Sequence, residues 1–177
     1  MRILLIIITI LTLISCSDGQ ATLNEVKINL SGQHLKSIPD SIFENKEITF
    51  LDLGSSDVTF YPPLSALVDS NANEISDLSD KIGNLINLQT LILNSNRLTI
   101  LPNEISKLTK LEVLDLSNNK DLDIIQQLDK LKGLPKLKVL KIVNVKLRKD
   151  DIPLIKSSLH NDTKIILTIP EYIEYSK

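Results

Sequence analysis

Cysteine is nearly absent from this chain of 177 residues, which has one, Cys16. A single thiol excludes an internal disulfide framework and every all-cysteine metal site. Tryptophan is missing, and the aromatics are three Phe and three Tyr. Any core must therefore be built from aliphatic side chains, of which Leu and Ile alone supply 57. No charge of one sign dominates. Twenty Lys plus Arg stand against 22 Asp plus Glu, a formal charge of -2, whereas nucleic-acid binding shows as a basic excess. The two histidines, His34 and His160, lie far apart with no ligand residues clustered near them. The composition thus points to no nucleic-acid partner, no metal and no cofactor.

Long apolar runs are also scarce, and the one exception opens the chain. Ile3 to Ile14 is apolar except for Thr9 and Thr12, and it follows a single positive side chain, Arg2. It is too short to span a bilayer as a helix, which takes roughly 20 residues, but it fits the hydrophobic region of a secretory signal. Its end, Leu13-Ile14-Ser15-Cys16 before polar Ser17-Asp18, resembles the lipobox of bacterial lipoproteins. That resemblance implies a signal peptide over residues 1–15, lipid on Cys16 and a tether over 16–24. Ser17 rather than Asp after the cysteine resembles the sorting rule for outer-membrane delivery in some two-membrane bacteria. It leaves open which side of the membrane the domain faces.

The rest of the chain repeats. Leu88, Leu91, Leu93, Asn96, Leu98, Leu101-Pro102, Ile105 and Leu108 are followed, 23 residues after the start, by Leu111, Leu114, Leu116 and Asn119. Alternating aliphatics at positions 4 and 6 of such a unit make a short strand with one buried face. An Asn at position 9 can satisfy backbone groups in a tight turn. Pro after position 14 discourages a further strand, and Pro39 and Pro102 cut short any helical reading of the leucines. One unit cannot bury its own aliphatic face, so neighbours must stack.

The register as a whole resembles the leucine-rich repeat family. It implies an α/β fold: a curved right-handed solenoid with a concave parallel β-sheet and a convex side of short helices and extended segments. The repeat domain is expected over 25–169, as about six units plus a terminal strand, with a tail at 170–177. Upstream, Ile28, Leu30, Leu35, Ile38-Pro39 and Ile42 make a first unit with Gln33 at the Asn place. Ile48, Leu51 and Leu53 open a second. A third is read through Val68, Asn73, Ile75, Leu78, Ile82 and Leu85, with boundaries between 55 and 75 left open because Ser65 and Ser70 replace leucines. In the sixth, Val145 replaces Asn and Asp150 to Leu159 reads as a helix. Ile165 to Ile169 is expected to be the last, edge strand, with the tail folding over it.

In this register positions 3, 5 and 7 face solvent from the concave sheet. Position 3 reads Lys27, Phe50, Leu67, Thr90, Val113 and Val139, unusually apolar for an exposed column. Position 5 reads Asn29, Asp52, Asp69, Ile92, Asp115 and Lys141. An apolar patch rimmed by acids is the pattern of a protein-binding site, so the candidate docking residues are Phe50, Ile92, Val113, Asp115, Val139 and Lys141. Only Asp52 and Asp69 stand near enough to be read as paired carboxylates, and no other ligand type joins them. The expected function is a non-catalytic protein-binding or adhesion module, anchored at a bacterial envelope by N-terminal lipid. Its partner is a protein, or failing that a glycan. The alternatives are a structural envelope lipoprotein without an exchangeable ligand, and a glycan-binding or hydrolytic surface protein.

Overall fold

The computed structural model describes residues 25–55 and 72–176. Six short parallel strands run in chain order across one sheet: β1 (Val26–Asn29), β2 (Ile48–Asp52), β3 (Thr90–Ile92), β4 (Val113–Asp115), β5 (Val139–Lys141) and β6 (Lys164–Ile166). Their register aligns the position-4 aliphatics, so Ile28, Leu51, Leu91, Leu114, Leu140 and Ile165 form one column. Each parallel pair needs a crossover. Here that return runs along the convex side as helix α1 (Asp40–Glu44), α2 (Leu128–Lys132), α3 (Ile152–Ser158) and short 3-10 turns at Asp80–Asn84 and Asn103–Lys107. Pro39 and Pro102 stand immediately before α1 and the 103–107 turn, where a missing N–H costs nothing. A last helix, α4 (Ile169–Tyr175), follows β6. The architecture is the expected solenoid.

The buried column continues through Leu30, Leu53, Leu93, Leu116 and Ile142, and the convex residues Ile82, Leu85, Ile105 and Leu108 close the core from the other side. Between these layers runs a ladder of asparagines. Asn119 accepts from the Leu98 N–H at 3.0 Å and donates to the carbonyls of Leu93 (3.0 Å) and Leu116 (2.9 Å). Asn96 repeats this toward Ile75 N–H and the Leu53 carbonyl. Asn73 does so toward the N–H groups of Gln33 and Leu35 and the carbonyls of Leu30 and Leu53.

This ladder revises the reading of the third unit. β2 pairs directly with β3, Phe50 opposite Thr90, and Val68 lies outside the described residues. Asn73 serves the same repeat as the β2 strand, and Ile75 to Leu85 supply its convex side. Asn73 thus joins the β2 strand to Ile75 to Leu85 in the ladder, and residues 56–71, read as the end of the second unit and the start of the third, lie outside the described residues. Gln33, placed at an Asn position by the sequence register, is exposed, and its side chain bonds the Ser31 carbonyl. The chain end differs as well. β6 stops at Ile166, and Ile169 begins α4, because Thr168 and Glu171 form a capping box around Pro170. That box starts a helix where a continued strand was expected.

Candidate functional site

On the concave face the position-5 residues first serve the backbone. Asn29 Oδ1 accepts from the Ser31 N–H at 2.9 Å, Asp52 Oδ1 from the Gly54 N–H at 2.9 Å and Asp115 Oδ1 from the Ser117 N–H at 3.0 Å. A short acid or amide there turns the chain out of the strand through its own N–H two residues on. Asp52 and Asp115 therefore hold the ends of their strands.

The six candidate residues fall into two groups. Phe50, Ile92 and Val113 are half-buried on β2, β3 and β4, with Thr90 between Phe50 and Val113 in the register. Phe50 and Ile92 lie beside half-buried Asp52, whereas Val113 packs at the margin of the cluster under α4. Asp115, Val139 and Lys141 were expected to face solvent, yet they are 1%, 7% and 9% exposed. The cause is α4, which lies on the sheet instead of over the edge of β6. Tyr172 donates its hydroxyl to Asp115 Oδ2 at 2.6 Å. The Lys141 Nζ stands 3.7 Å from the same oxygen and 4.4 Å from the Tyr172 ring centroid, and the Tyr175 ring lies 4.9 Å away on α4. Burial, then the field and hydrogen bond of Asp115, push the Tyr172 phenol far above its ordinary value.

Sequence reasoning missed Tyr172 as a site residue. The signal was present in Thr168-Ile-Pro-Glu171, a helix start, followed by two tyrosines three apart on one face. The paired-carboxylate reading of Asp52 and Asp69 falls partly outside the described residues. Asp52 has Ile92 opposite it on β3, while Asp69 lies outside the described residues, as do Leu67 and Cys16. His34 and His160 are exposed. Among the described residues no group of three His, Cys, Asp or Glu is placed to hold a metal ion, and no helix is long and apolar enough to cross a membrane.

Asp52 allows a direct check of this geometry. Burial holds its carboxyl above the ordinary 3.8, the Gly54 N–H opposes the rise and Asp115 adds to it. The folded chain binds this proton more tightly than the unfolded chain. Asp52 therefore makes stability fall as pH rises from 3.8 through the folded pKa, and the loss then levels off. Asp52→Asn keeps an oxygen for the Gly54 N–H and removes the charge. We expect a higher urea midpoint than the parent at pH 7, with the difference shrinking toward about pH 4. A difference independent of pH would rule out burial of the charge as its origin.

Comparison with known proteins agrees with this architecture. Residues 86–130 match the family of Leucine Rich repeats (2 copies), the stretch that carries β3, β4 and the asparagines Asn96 and Asn119. The fold is a leucine-rich repeat solenoid. Among solved leucine-rich repeat structures, internalin C2 of Listeria monocytogenes is 28% identical, aligned over 80% of this chain and 54% of its own, with a TM-score of 0.54. A leucine-rich repeat protein of Leptospira interrogans aligns at 24% identity over 78% of this chain and 48% of its own, with a TM-score of 0.37. A second Listeria internalin aligns at 19% identity over 81% and 54%, with a TM-score of 0.40. This chain spans about half the length of these proteins. No curated protein sequence matches it significantly.

Proposed function

We propose that the chain is a non-catalytic protein-binding or adhesion module whose concave sheet is the docking surface. The observation that carries this reading is the half-buried pair Phe50 and Ile92 beside Asp52, on the part of the sheet that α4 leaves uncovered. An aromatic at the head of an apolar strip is a usual hot-spot composition, and Asp52 beside it tunes encounter and specificity more than affinity. The likeness to internalin C2 supports an interaction role in general terms and names no ligand. The partner we favour is a protein, with a glycan as the lesser reading. The test begins with a partner recovered by crosslinking on intact producing cells. Phe50→Ala combined with Ile92→Glu is expected to abolish its binding, with circular dichroism and melting near parent values. Normal binding by the folded double variant would move the site off the open strands. Val139 is unsuitable for this test because it packs beneath α4. Recovery of no partner would favour the structural envelope lipoprotein, which the filled half of the sheet already suits.

The module belongs, in this proposal, at a bacterial envelope, held by acyl chains on Cys16 and directed to the outer membrane. Its support is the short apolar run ending at Leu13-Ile14-Ser15-Cys16, and two or more acyl chains anchor far more firmly than one. Cys16→Ala is expected to release the protein from membranes or leave it unprocessed. An unchanged membrane fraction and N-terminal mass would refute the anchor.

A further inference from the structure

The placement of α4 is not explained by closure of the solenoid. At that end of the main core α3 already packs its buried Ile155, with Leu159 just beyond it. Helix α4 instead builds a second, separate cluster on the concave side, where Tyr172 meets Val139, Val143 and Ile166, with Val113 and Ile169 at its margin. The uncovered strands carry a mixed surface of Lys27, Asn29, Phe50, Asp52, Thr90 and Ile92. The strands under α4 carry valines around one acid and one lysine.

That seat reads every part of a tyrosine. Asp115 takes the hydroxyl at 2.6 Å, the Lys141 ammonium faces the ring at 4.4 Å and Val139, Val143 and Ile166 share its apolar cluster. A carboxylate acceptor rewards a phenol over a phenyl ring, and an ammonium over the face rewards an aromatic over an aliphatic. The contact is also built to reverse. Helix α4 has seven residues, far below the length at which a helix stands alone in water. It hangs from β6 by Leu167 and Thr168. When it lifts, Asp115 and Lys141 remain paired with each other and regain water, so no buried charge is stranded.

We propose that the β4–β6 seat is a binding site for a short amphipathic helix presenting a tyrosine, and that α4 closes it in the free chain as an internal occupant. This rests on the concave face being the docking surface, and it makes the partner's helix a competitor of α4. The same face then has two states. With α4 seated, only the strip around Phe50 and Ile92 is available. With α4 displaced, the apolar surface extends across Val113, Val139 and Val143 to Ile166.

The experiment uses a fluorescein-labelled peptide with the sequence of residues 168–177 and the full-length Tyr172→Ala variant, whose own strap has lost its anchor. Anisotropy is expected to show saturable binding to the variant and binding at least about tenfold weaker to the parent, where α4 competes. Replacing the peptide's first tyrosine by phenylalanine is expected to weaken binding to the variant by about ten- to a hundredfold, the loss of one hydrogen bond to a charged acceptor. Equal binding of the two peptides, or no binding by a variant with parental circular dichroism, would overturn the proposal. Should Tyr172→Ala not fold, native-state hydrogen exchange on the parent decides. The Tyr172 and Ser176 amides, which bond back to Thr168 and Tyr172, are expected to exchange by local opening at least about tenfold faster than those of Leu93 and Leu116. Core-like protection of α4 would overturn it. Failure here leaves docking on the open strip to its own test through Phe50 and Ile92, and failure of that test leaves the peptide result standing.

Discussion

Asn119→Ala is expected to cost roughly 3–5 kcal/mol of folding stability, a figure built from about 1–3 kcal/mol for each buried backbone group left unpaired. Asn119 is wholly buried and fills little volume, so packing alone predicts a small effect. Its side chain, however, accepts from Leu98 N–H and donates to the carbonyls of Leu93 and Leu116. Two of those three partners belong to the preceding repeat. Removing the amide therefore strands polar groups in two turns at once, at a depth where water does not easily replace them. Asn103, exposed at the start of a convex turn, is the control. Its change to Ala is expected to stay within about 0.5 kcal/mol. Urea denaturation of both variants checks the pair. Similar midpoints for the two would mean that the ladder is dispensable.

The same asparagines explain what the sequence could and could not disclose. The strand register was legible because alternation and the fixed spacing of Asn96 and Asn119 reinforce each other, and Leu91, Leu93, Leu114 and Leu116 are fully buried. The stretch around residues 55–75 was not, because counting aliphatics by period assumes that each group of them contributes a strand. Asn73 bonds to Leu35, 38 positions earlier, where Asn96 and Asn119 reach back only 21, so a fixed period cannot place it. The candidate site divides on similar grounds. Phe50, Ile92 and Val113 keep only part of the exposure that solvent-facing columns imply. Asp115, Val139 and Lys141 lost it to a seven-residue helix outside the repeat, and no periodicity of the repeat can announce such a contact. Local chemistry could have: Thr168 and Glu171 cap a helix, and Tyr172 and Tyr175 give it one aromatic face.

Leu114→Ala is expected to cost about 2–5 kcal/mol through lost transfer energy and the cavity left behind, toward the upper end of that range. Leu114 sits in the central column of β4, between Leu91 and Leu140 in register, and is 0% exposed. The strands on both sides are fixed by hydrogen bonds that continue past them, such as Leu93 N–H to the Asp115 carbonyl at 2.8 Å and Leu116 N–H to the Lys141 carbonyl at 2.9 Å. The backbone cannot easily move inward to fill the space, and the cost rises with the cavity that remains. Against a total stability of about 5–15 kcal/mol for a domain, one such truncation is a large fraction. Ile100→Ala removes the same kind of surface from a side chain that is 54% exposed, and it is expected to change little. The urea slope carries a further signal. Each repeat touches only its neighbours, so a broken fourth strand can let the two ends of the solenoid melt separately, which appears as a lower slope as well as a lower midpoint. A midpoint and slope like those of the parent would mean that Leu114 does not occupy the buried column of the sheet.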